Sequence, residues 1–392
     1  MKTKTITLLS VMLLVVGACV LAQTKDSEVS GVRSKTFVVT KGGTLVVSVG
    51  VGDIRITPKE QNEVTVQASG IDDDELDRLK MSQSGNTVRV SFRPRDRGWS
   101  SSDVEFEITV PKEFDTDLHT SGGNVEFTAD IKGRIKGSTS GGDIRLAGIN
   151  GTVDMSTSGG NVRAGDLQGD GELRTSGGDI TIGNVNGDLD IGTSGGNIDV
   201  KNVGKSLRAS TSGGDITIGD VGGEASVSTS GGNIDMGKVS GKASMHTSGG
   251  DVSLRGASGS VKASTSGGDM KLMDVSGSID ASTSGGEIEA ELFPSGTGRS
   301  KLSSSGGTVR LSIPGNAKAT IEATIHFGNG WGGWFSRGKD RYSVKSDFKA
   351  DSYEKDEDAG EIRAVYTING GGSEITLSTS GADIIIRKMN SK

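Results

Sequence analysis

The side chains best placed for chemistry follow a Gly-Gly pair that recurs along the chain. The residue after each pair is an acid or an amide: Asn124, Asp143, Asn161, Asp179, Asn197, Asp215, Asn233, Asp251, Asp269 and Glu287. Acid and amide alternate as far as Asp251, and the last two positions are acids again. Interleaved Asn doubles the spacing between carboxylates and supplies side-chain donors to them. The pattern therefore predicts a structural ladder at a corner of the fold.

Three successive acids of this series, Asp251, Asp269 and Glu287, form a candidate cation site. Carboxylate oxygens are ligands that Ca²⁺ prefers. Calcium-binding β-rolls, however, usually carry a denser Gly-Gly-x-Gly-x-Asp pattern. The sequence therefore favours solvated acids with offset side chains, and we expect the protein to need no cofactor.

Catalysis is the main alternative to a binding role, because polysaccharide lyases and hydrolases also use β-helices, with paired acids or a metal beside a basic residue. The only histidines are His119, His246 and His326. The first two occupy the same repeat position, but seven repeats, or about 34 Å, separate them. The sequence alone identifies no His-Asp pair beside its many serines. We predict no catalytic residues and a protein that is not an enzyme.

Three tryptophans, Trp99, Trp331 and Trp334, lie in Gly- and Ser-rich interruptions of the pattern, with Arg337 and Arg341 close to the second pair. Trp and Arg are frequent anchors of recognition surfaces, and Trp faces stack on sugar rings. These residues are a candidate site for a cell-surface glycan or an envelope protein. The alternative, which we favour, is that Trp331 and Trp334 cover a hydrophobic end of the fold.

A tandem repeat must position all of these side chains. Thr-Ser-Gly-Gly begins at Thr120, Thr139, Thr157, Thr175, Thr193, Thr211, Thr229, Thr247, Thr265 and Thr283. The first spacing is 19 residues and each later one is 18. A related copy follows at Ser304, and Thr379 opens a last degenerate copy. A period of this length predicts a solenoid.

The apolar pattern inside one repeat predicts its secondary structure. The unit after Thr175 carries apolar residues at Ile180, Ile182, Val185, Leu189 and Ile191. Two pairs spaced by two residues predict two short strands with alternate side chains inward. Gly177, Gly178 and Gly187 mark corners, where glycine permits a positive φ.

The predicted fold is all-β: a single-stranded parallel β-helix (β-solenoid) with 18-residue coils. A right-handed coil is the default for parallel crossovers. Abundant glycine (63 of 392 residues) and few aromatics (4%) suit so thin an architecture. We expect an N-terminal β cap over 35–118, the regular solenoid over 119–313, and C-terminal coils and a cap with the Trp-containing insertion over 314–392.

The N-terminus predicts export. Lys2 and Lys4 precede an apolar run, as in a secretory signal peptide over 1–22 with cleavage after Ala22. A lipobox ending at Cys19 is the alternative and would give a lipid anchor, but the residues after Cys19 are apolar, which favours cleavage. Removal of the two lysines takes the net charge from −7 to −9, because residues 1–22 contain no acid. That acidity argues against nucleic acid as a partner. The apolar run is short for a bilayer span, so we expect no transmembrane segment in the mature chain.

The repeated Thr-Ser-Gly-Gly-Asp-Ile unit, as in Thr211–Ile216, resembles a bacterial "putative adhesin" family with β-strand repeats, a domain of unknown function. The Gly-rich stretch 368–372, followed by Thr379, Ser380 and Gly381, resembles the end of the same family. The resemblance covers residues 37–387. It implies an exported β-helix at the cell envelope, in the periplasm, on the outer membrane surface or outside the cell, with a binding role and no established catalytic residue.

Overall fold

The computed structural model describes the chain over residues 25–29, 32–95, 104–294, 298–327 and 342–389. The predicted signal segment 1–22, with Cys19, lies outside this part of the chain. Nearly all regular structure within it is β-strand, and the one exception is a 3-10 helix over Leu76–Arg78. The all-β prediction is confirmed.

The strands, numbered along the chain, form two long sheets and one small one. Sheet A contains β1 (Lys25–Val29), β2 (Val32–Val38), β4 (Asp53–Lys59), β5 (Glu63–Ser69), β8 (Glu105–Pro111), β10 (Val125–Phe127), β13 (Ile144–Leu146), β16 (Val162–Ala164), β18 (Ile180–Val185), β20 (Ile198–Val203), β22 (Ile216–Ile218), β24 (Ile234–Val239), β26 (Val252–Ala257), β28 (Met270–Val275), β30 (Ile288–Leu292), β32 (Val309–Pro314), β34 (Val344–Ser346) and β38 (Ile384–Met389). Sheet B contains β3 (Gly43–Val49), β6 (Lys80–Ser84), β7 (Thr87–Phe92), β9 (Phe114–His119), β12 (Ile135–Ser138), β15 (Val153–Ser156), β17 (Gly171–Arg174), β19 (Leu189–Gly192), β21 (Leu207–Ser210), β23 (Ala225–Ser228), β25 (Ala243–His246), β27 (Val261–Ser264), β29 (Ile279–Thr283), β31 (Arg299–Ser304), β33 (Ala319–His326), β35 (Ser352–Asp356), β36 (Glu361–Ile368) and β37 (Ser373–Ser380). The small sheet pairs β11 (Ile131–Lys132) with β14 (Ile149–Asn150).

Equivalent residues of successive repeats stack directly on each other, as the period predicts. Ile180 is paired with Ile198 in sheet A, and Leu189 with Leu207 in sheet B, both in parallel register. Each 18-residue unit is therefore one coil of a parallel β-solenoid. The handedness of the coil stays a prediction.

A third line of contacts runs between the two sheets, and the two-strand prediction missed it. Leu167, Val185, Val203 and Val221 stack from coil to coil through parallel bridges. All of these side chains are buried. The sequence shows only one apolar residue per repeat at this position, which is too short a pattern to predict a strand. This line of bridges forms only because the neighbouring coils supply the pairing.

The core consists of columns of like side chains. The inward residues of both sheets, such as Ile180, Ile191 and Ile198, are almost completely buried. The larger rings of Phe37, Phe92, Phe106 and Phe114 are confined to the N-terminal coils.

The Thr of each Thr-Ser-Gly-Gly motif ties two coils together. The Oγ1 atom of Thr193 donates to the carbonyl oxygen of Gly178 in the preceding coil at 2.8 Å, and it accepts the N–H of Gly196 in its own coil at 3.3 Å. The same pair of contacts recurs at each regular corner from Thr139 to Thr283. A buried hydroxyl must find partners, and here the corner backbone supplies both.

Glycine is required at the corners because the backbones of successive coils approach each other closely there. The positive φ angle that the sequence analysis gave as the reason was wrong. Gly177, Gly178 and Gly187 do not have positive φ angles. A Cβ atom on Gly178 would instead overlap the carbonyl oxygen of Gly160, the equivalent glycine of the preceding coil. The first glycine of the pair has more room, because a Cβ on Gly177 would lie 3.3 Å from the carbonyl oxygen of Gly159.

Both ends of the stack depart from chain order. At the N-terminal end β3 lies between β7 and β9, although both of these strands follow it in sequence. At the C-terminal end β37 is inserted between β31 and β33. The last degenerate repeat therefore continues the regular stack, and Thr379 Oγ1 donates to the Gly307 carbonyl at 2.8 Å.

Antiparallel strands cover the outermost coils. β6 pairs with β7 and β5 with β8 at one end, while β36 pairs with β33 and β35 with β36 at the other. The outer strand β35 has the sequence SYEKD and is exposed throughout. Charged edge strands of this kind disfavour further strand addition.

The two corner glycines give a matched test of the stacking. Gly178→Ala should lower the free energy of unfolding by about 1–3 kcal/mol, as an overpacked core position does. Gly177→Ala should change it by less than about 1 kcal/mol, because the reduced entropy of the unfolded chain offsets a mild contact. Denaturant titration followed by circular dichroism measures both, and equal destabilisation by the two variants would contradict the close-approach explanation.

Candidate functional site

The acid and amide series forms a continuous ladder of hydrogen bonds along one corner. Each Oδ1 atom accepts the backbone N–H of the equivalent residue in the next coil, for example Asn197 Oδ1 from Asp215 at 2.8 Å. Ten such contacts run from Asp53 to Glu287. The predicted structural ladder is present, but with the backbone as the principal donor. Asp and Asn present the same Oδ1 acceptor, so alternation lowers the charge without breaking the ladder.

Side-chain donation from Asn to acid, which the sequence suggested throughout, is seen at few rungs. Asn124 Nδ2 donates to Asp53 Oδ2 at 3.2 Å, and Asn161 Nδ2 lies 3.5 Å from Asp143 Oδ1. The backbone N–H group, rather than the Asn amide, is therefore the usual donor to Oδ1.

The three successive acids belong to the same ladder. Asp251 Oδ1 accepts the N–H of Asp269, and Asp269 Oδ1 accepts the N–H of Glu287, each at 2.7 Å. The Glu287 carboxylate pairs with Arg310, and this hydrogen bond raises the pKa of the Arg310 guanidinium above its ordinary value. Among the residues that the structure describes, no group of three or more His, Cys, Asp or Glu side chains is arranged to hold a metal ion. The cation site stays a prediction.

The ladder reappears in the C-terminal cap at Asp383. Its partial burial alone would raise the carboxyl pKa, but hydrogen bonds from the Lys345 ammonium at 2.6 Å and the Ser343 N–H at 2.9 Å lower the pKa below its ordinary value. This contact therefore stabilises the fold at pH values above the ordinary pKa of an Asp carboxyl. The stabilisation is lost as the pH falls through the lowered pKa of Asp383.

The outer face of sheet B carries a long open groove of about 710 Å³, parallel to the axis of the stack. We call it the charged groove. Its lining comes from six consecutive coils and includes Asp154, Glu172, Asp190, Arg208, Ser226 and Ser244, which occupy one outward column. Arg174, beside this column, donates hydrogen bonds to the carboxylates of Glu172 at 3.1 Å and Asp190 at 3.0 Å. The charges are thus held in defined positions, although each such exposed pair adds little stability.

A second groove of about 560 Å³ lies beside the Thr-Ser-Gly-Gly corner, and we call it the hydroxyl groove. Serine hydroxyls from two outward columns line it, among them Ser138, Ser140, Ser156, Ser158, Ser176 and Ser194. The threonines between these columns point inward and are buried. The serine columns therefore provide most of the polar lining that a ligand in this groove would meet.

The hydroxyl groove adjoins a cluster that sequence reasoning missed. His119 Nδ1 lies 2.9 Å from Ser138 Oγ, and His119 Nε2 lies 2.9 Å from Asp117 Oδ1. His246 makes a similar contact with Ser264, at 2.8 Å, without an acid beside it. Ser138 is 19 residues from His119, so only the stacking of β9 and β12 brings them together. The repeat period was the one signal that could have revealed the pair.

The tryptophan and arginine candidates, Trp99, Trp331, Trp334, Arg337 and Arg341, lie outside the described residues, so their role stays a prediction. Their neighbours are described. The Trp99 segment joins β7 to β8 in the N-terminal coil, and the segment with the other four joins β33 to β34 at the C-terminal end. Fourteen strand spacings, or about 67 Å, separate β8 from β34 along sheet A. The strands β8 and β34 therefore lie near opposite ends of the stack.

These features define a parallel β-solenoid whose outer faces carry repeated polar columns. The sequence profile of the Toastrack DUF4097 family matches residues 43–222 and 204–352, and the chain belongs to this family. The family resemblance expected from the sequence is confirmed. No curated protein has a significant sequence match to the chain.

Several solved structures are similar to the chain at low identity. A "putative adhesin" from Parabacteroides merdae is 15% identical, with 71% of this chain and 95% of that chain covered and a TM-score of 0.27. A "putative lipid binding protein" from Parabacteroides distasonis is 12% identical, with 91% and 96% covered and a TM-score of 0.23. A "putative adhesin" from Bacteroides fragilis is 11% identical, with the same coverage and a TM-score of 0.21.

Across the described part of the chain, none of the helical structure is long and apolar enough to span a bilayer.

Calcium titration tests the acidic column. Because Asp251 and Asp269 already accept backbone N–H groups, we expect millimolar Ca²⁺ to leave the melting temperature unchanged. Differential scanning calorimetry with and without Ca²⁺, at constant ionic strength, measures this. A Ca²⁺-specific rise that Asp269→Asn abolishes would establish the cation site instead.

Proposed function

We propose that this protein is an exported scaffold of the cell surface or envelope that binds an extended partner along its outer face. The observation that carries the proposal is the charged groove, in which six consecutive coils contribute equivalent side chains at a spacing of about 4.8 Å. A linear polymer can contact several coils in such a groove at once. The groove is long and open, a form that suits an extended chain better than a small substrate.

The chemistry of the lining favours a polar partner. Carboxylates, hydroxyls and the Arg208 guanidinium offer both acceptors and donors of hydrogen bonds. An extended glycan or an extended protein segment of the envelope carries matching groups. The main role proposed is adhesion by binding rather than turnover, with a polysaccharide lyase or hydrolase as the alternative.

The export that the sequence predicts is part of this proposal. A scaffold that engages surface polymers must reach them, and an N-terminal signal peptide or a lipid anchor at Cys19 would each place it there. Mass spectrometry of the mature N-terminus distinguishes cleavage after Ala22 from lipidation of Cys19.

A pair of charge-matched double variants tests the groove. Asp190→Ser with Arg208→Ser removes one acid and one base from the charged groove, in a column that already holds Ser226 and Ser244. Asp199→Ser with Lys271→Ser makes the same change on the outer face of sheet A, where Ser253 occupies the column. We expect the first variant to bind isolated envelopes about 10-fold more weakly and the second to bind like the parent protein.

The readout is sedimentation of the full chain with envelopes of the producing cell, before and after treatment with periodate or protease. Loss of binding after periodate assigns the partner as a glycan, and loss after protease assigns it as a protein. Equal binding by the two double variants would contradict the proposed location of the site. Breakdown of envelope polysaccharide by the parent protein would favour the enzyme alternative.

A further inference from the structure

We propose that Asp117, His119 and Ser138 form an acyl-transfer site on the surface of the solenoid, specific for small activated esters. This inference goes beyond the binding role. It rests on the spatial order of acid, imidazole and hydroxyl, with the imidazole nitrogens 2.9 Å from the carboxylate and from the hydroxyl, which is the order that activates a serine nucleophile.

The parallel stack positions the three groups. Asp117 and His119 are two residues apart on β9, so both point outward on the same face of sheet B. Ser138 on β12 is directly opposite His119 in the register. The imidazole therefore lies between a carboxylate and a hydroxyl, at 2.9 Å from each.

The carboxylate selects the useful tautomer of the imidazole. Asp117 Oδ1 is shielded from solvent and accepts no well-aligned hydrogen bond. A proton on His119 Nε2, 2.9 Å away, would compensate that oxygen and would leave Nδ1 unprotonated. The Nδ1 lone pair can then accept the proton of Ser138 Oγ. Asp117 acts here as a positioning residue, and Ser138 and His119 are the reacting groups.

The reaction proceeds in two steps, acylation of Ser138 and hydrolysis of the acyl-serine. Ser138 Oγ attacks the acyl carbon while its proton moves to His119 Nδ1, and the ester alcohol leaves with that proton. Water then attacks the acyl-serine by the same path, which releases the carboxylic acid and restores the hydroxyl. The developing oxyanion would face the hydroxyls of Ser140 and Ser156 in the hydroxyl groove. Hydroxyl donors stabilise it less than a pair of backbone amides would, so the site suits only activated esters.

The chain provides its own control. His246 and Ser264 repeat the imidazole–hydroxyl contact at 2.8 Å, but Ser244 takes the place of Asp117. If Asp117 contributes to activation, Ser138 must react faster than Ser264, although both serines lie in the same column, have the same coil geometry and contact a histidine of the preceding coil.

A fluorophosphonate probe, which loses fluoride as it bonds to an activated serine, distinguishes them. With the full chain and mass spectrometry of the labelled peptides, we expect Ser138 to react at least about 10-fold faster than Ser264, a conservative fraction of what an oriented base contributes. Asp117→Asn should remove this difference, Asp117→Glu should keep part of it, and His119→Gln should abolish labelling of Ser138. His246→Gln should leave Ser138 unchanged.

Thermal melting of each variant checks that the fold is retained, and release of p-nitrophenol from p-nitrophenyl acetate gives a second readout in which Ser138→Ala should lose the activity. Failure of Ser138 to react, equal labelling of Ser138 and Ser264, or full reactivity in Asp117→Asn would each overturn the proposal.

Discussion

The structure depends on one constraint: each coil must place its backbone against the equivalent backbone of the next coil. One coil buries only a few aliphatic side chains and leaves its strand edges open, so it cannot repay the entropy of ordering its residues alone. Stacking in parallel register pairs Ile180 with Ile198 and Leu189 with Leu207, and it saturates both edges at once. The second corner glycine is part of this constraint, because Gly178 must approach the carbonyl of Gly160 closely.

The same stacking determines the surface. Each outward position recurs in the next coil about 4.8 Å further along the axis. The outward side chains therefore form columns rather than isolated groups. At the corner the column becomes the ladder of acid and amide side chains from Asp53 to Glu287, where one Oδ1 atom per rung accepts a backbone N–H group. On the face of sheet B the columns form the charged groove and the hydroxyl groove. The proposed binding surface and the stability thus come from one geometry.

The repeat period and the apolar pattern within it were sufficient to predict the solenoid and the buried columns. It could not reveal the ends, where β3 and β37 are inserted out of chain order, because such pairings between distant segments leave no periodic trace. It also missed the line of bridges through Val185, whose strand character comes from its neighbours. The contact of His119 with Ser138 was hidden for a related reason: it joins residues that are neighbours only after stacking.

Distances between spin labels in one outward column test the stacking most directly. Cysteines replacing Ser156, Ser228 and Ser282, in a chain with Cys19→Ser, allow pairwise labelling and measurement by double electron–electron resonance. Four coils separate the first pair and seven separate Ser156 from Ser282, so the account predicts mean distances of about 19 Å and about 34 Å. Distances that do not grow in proportion to the number of coils would contradict it.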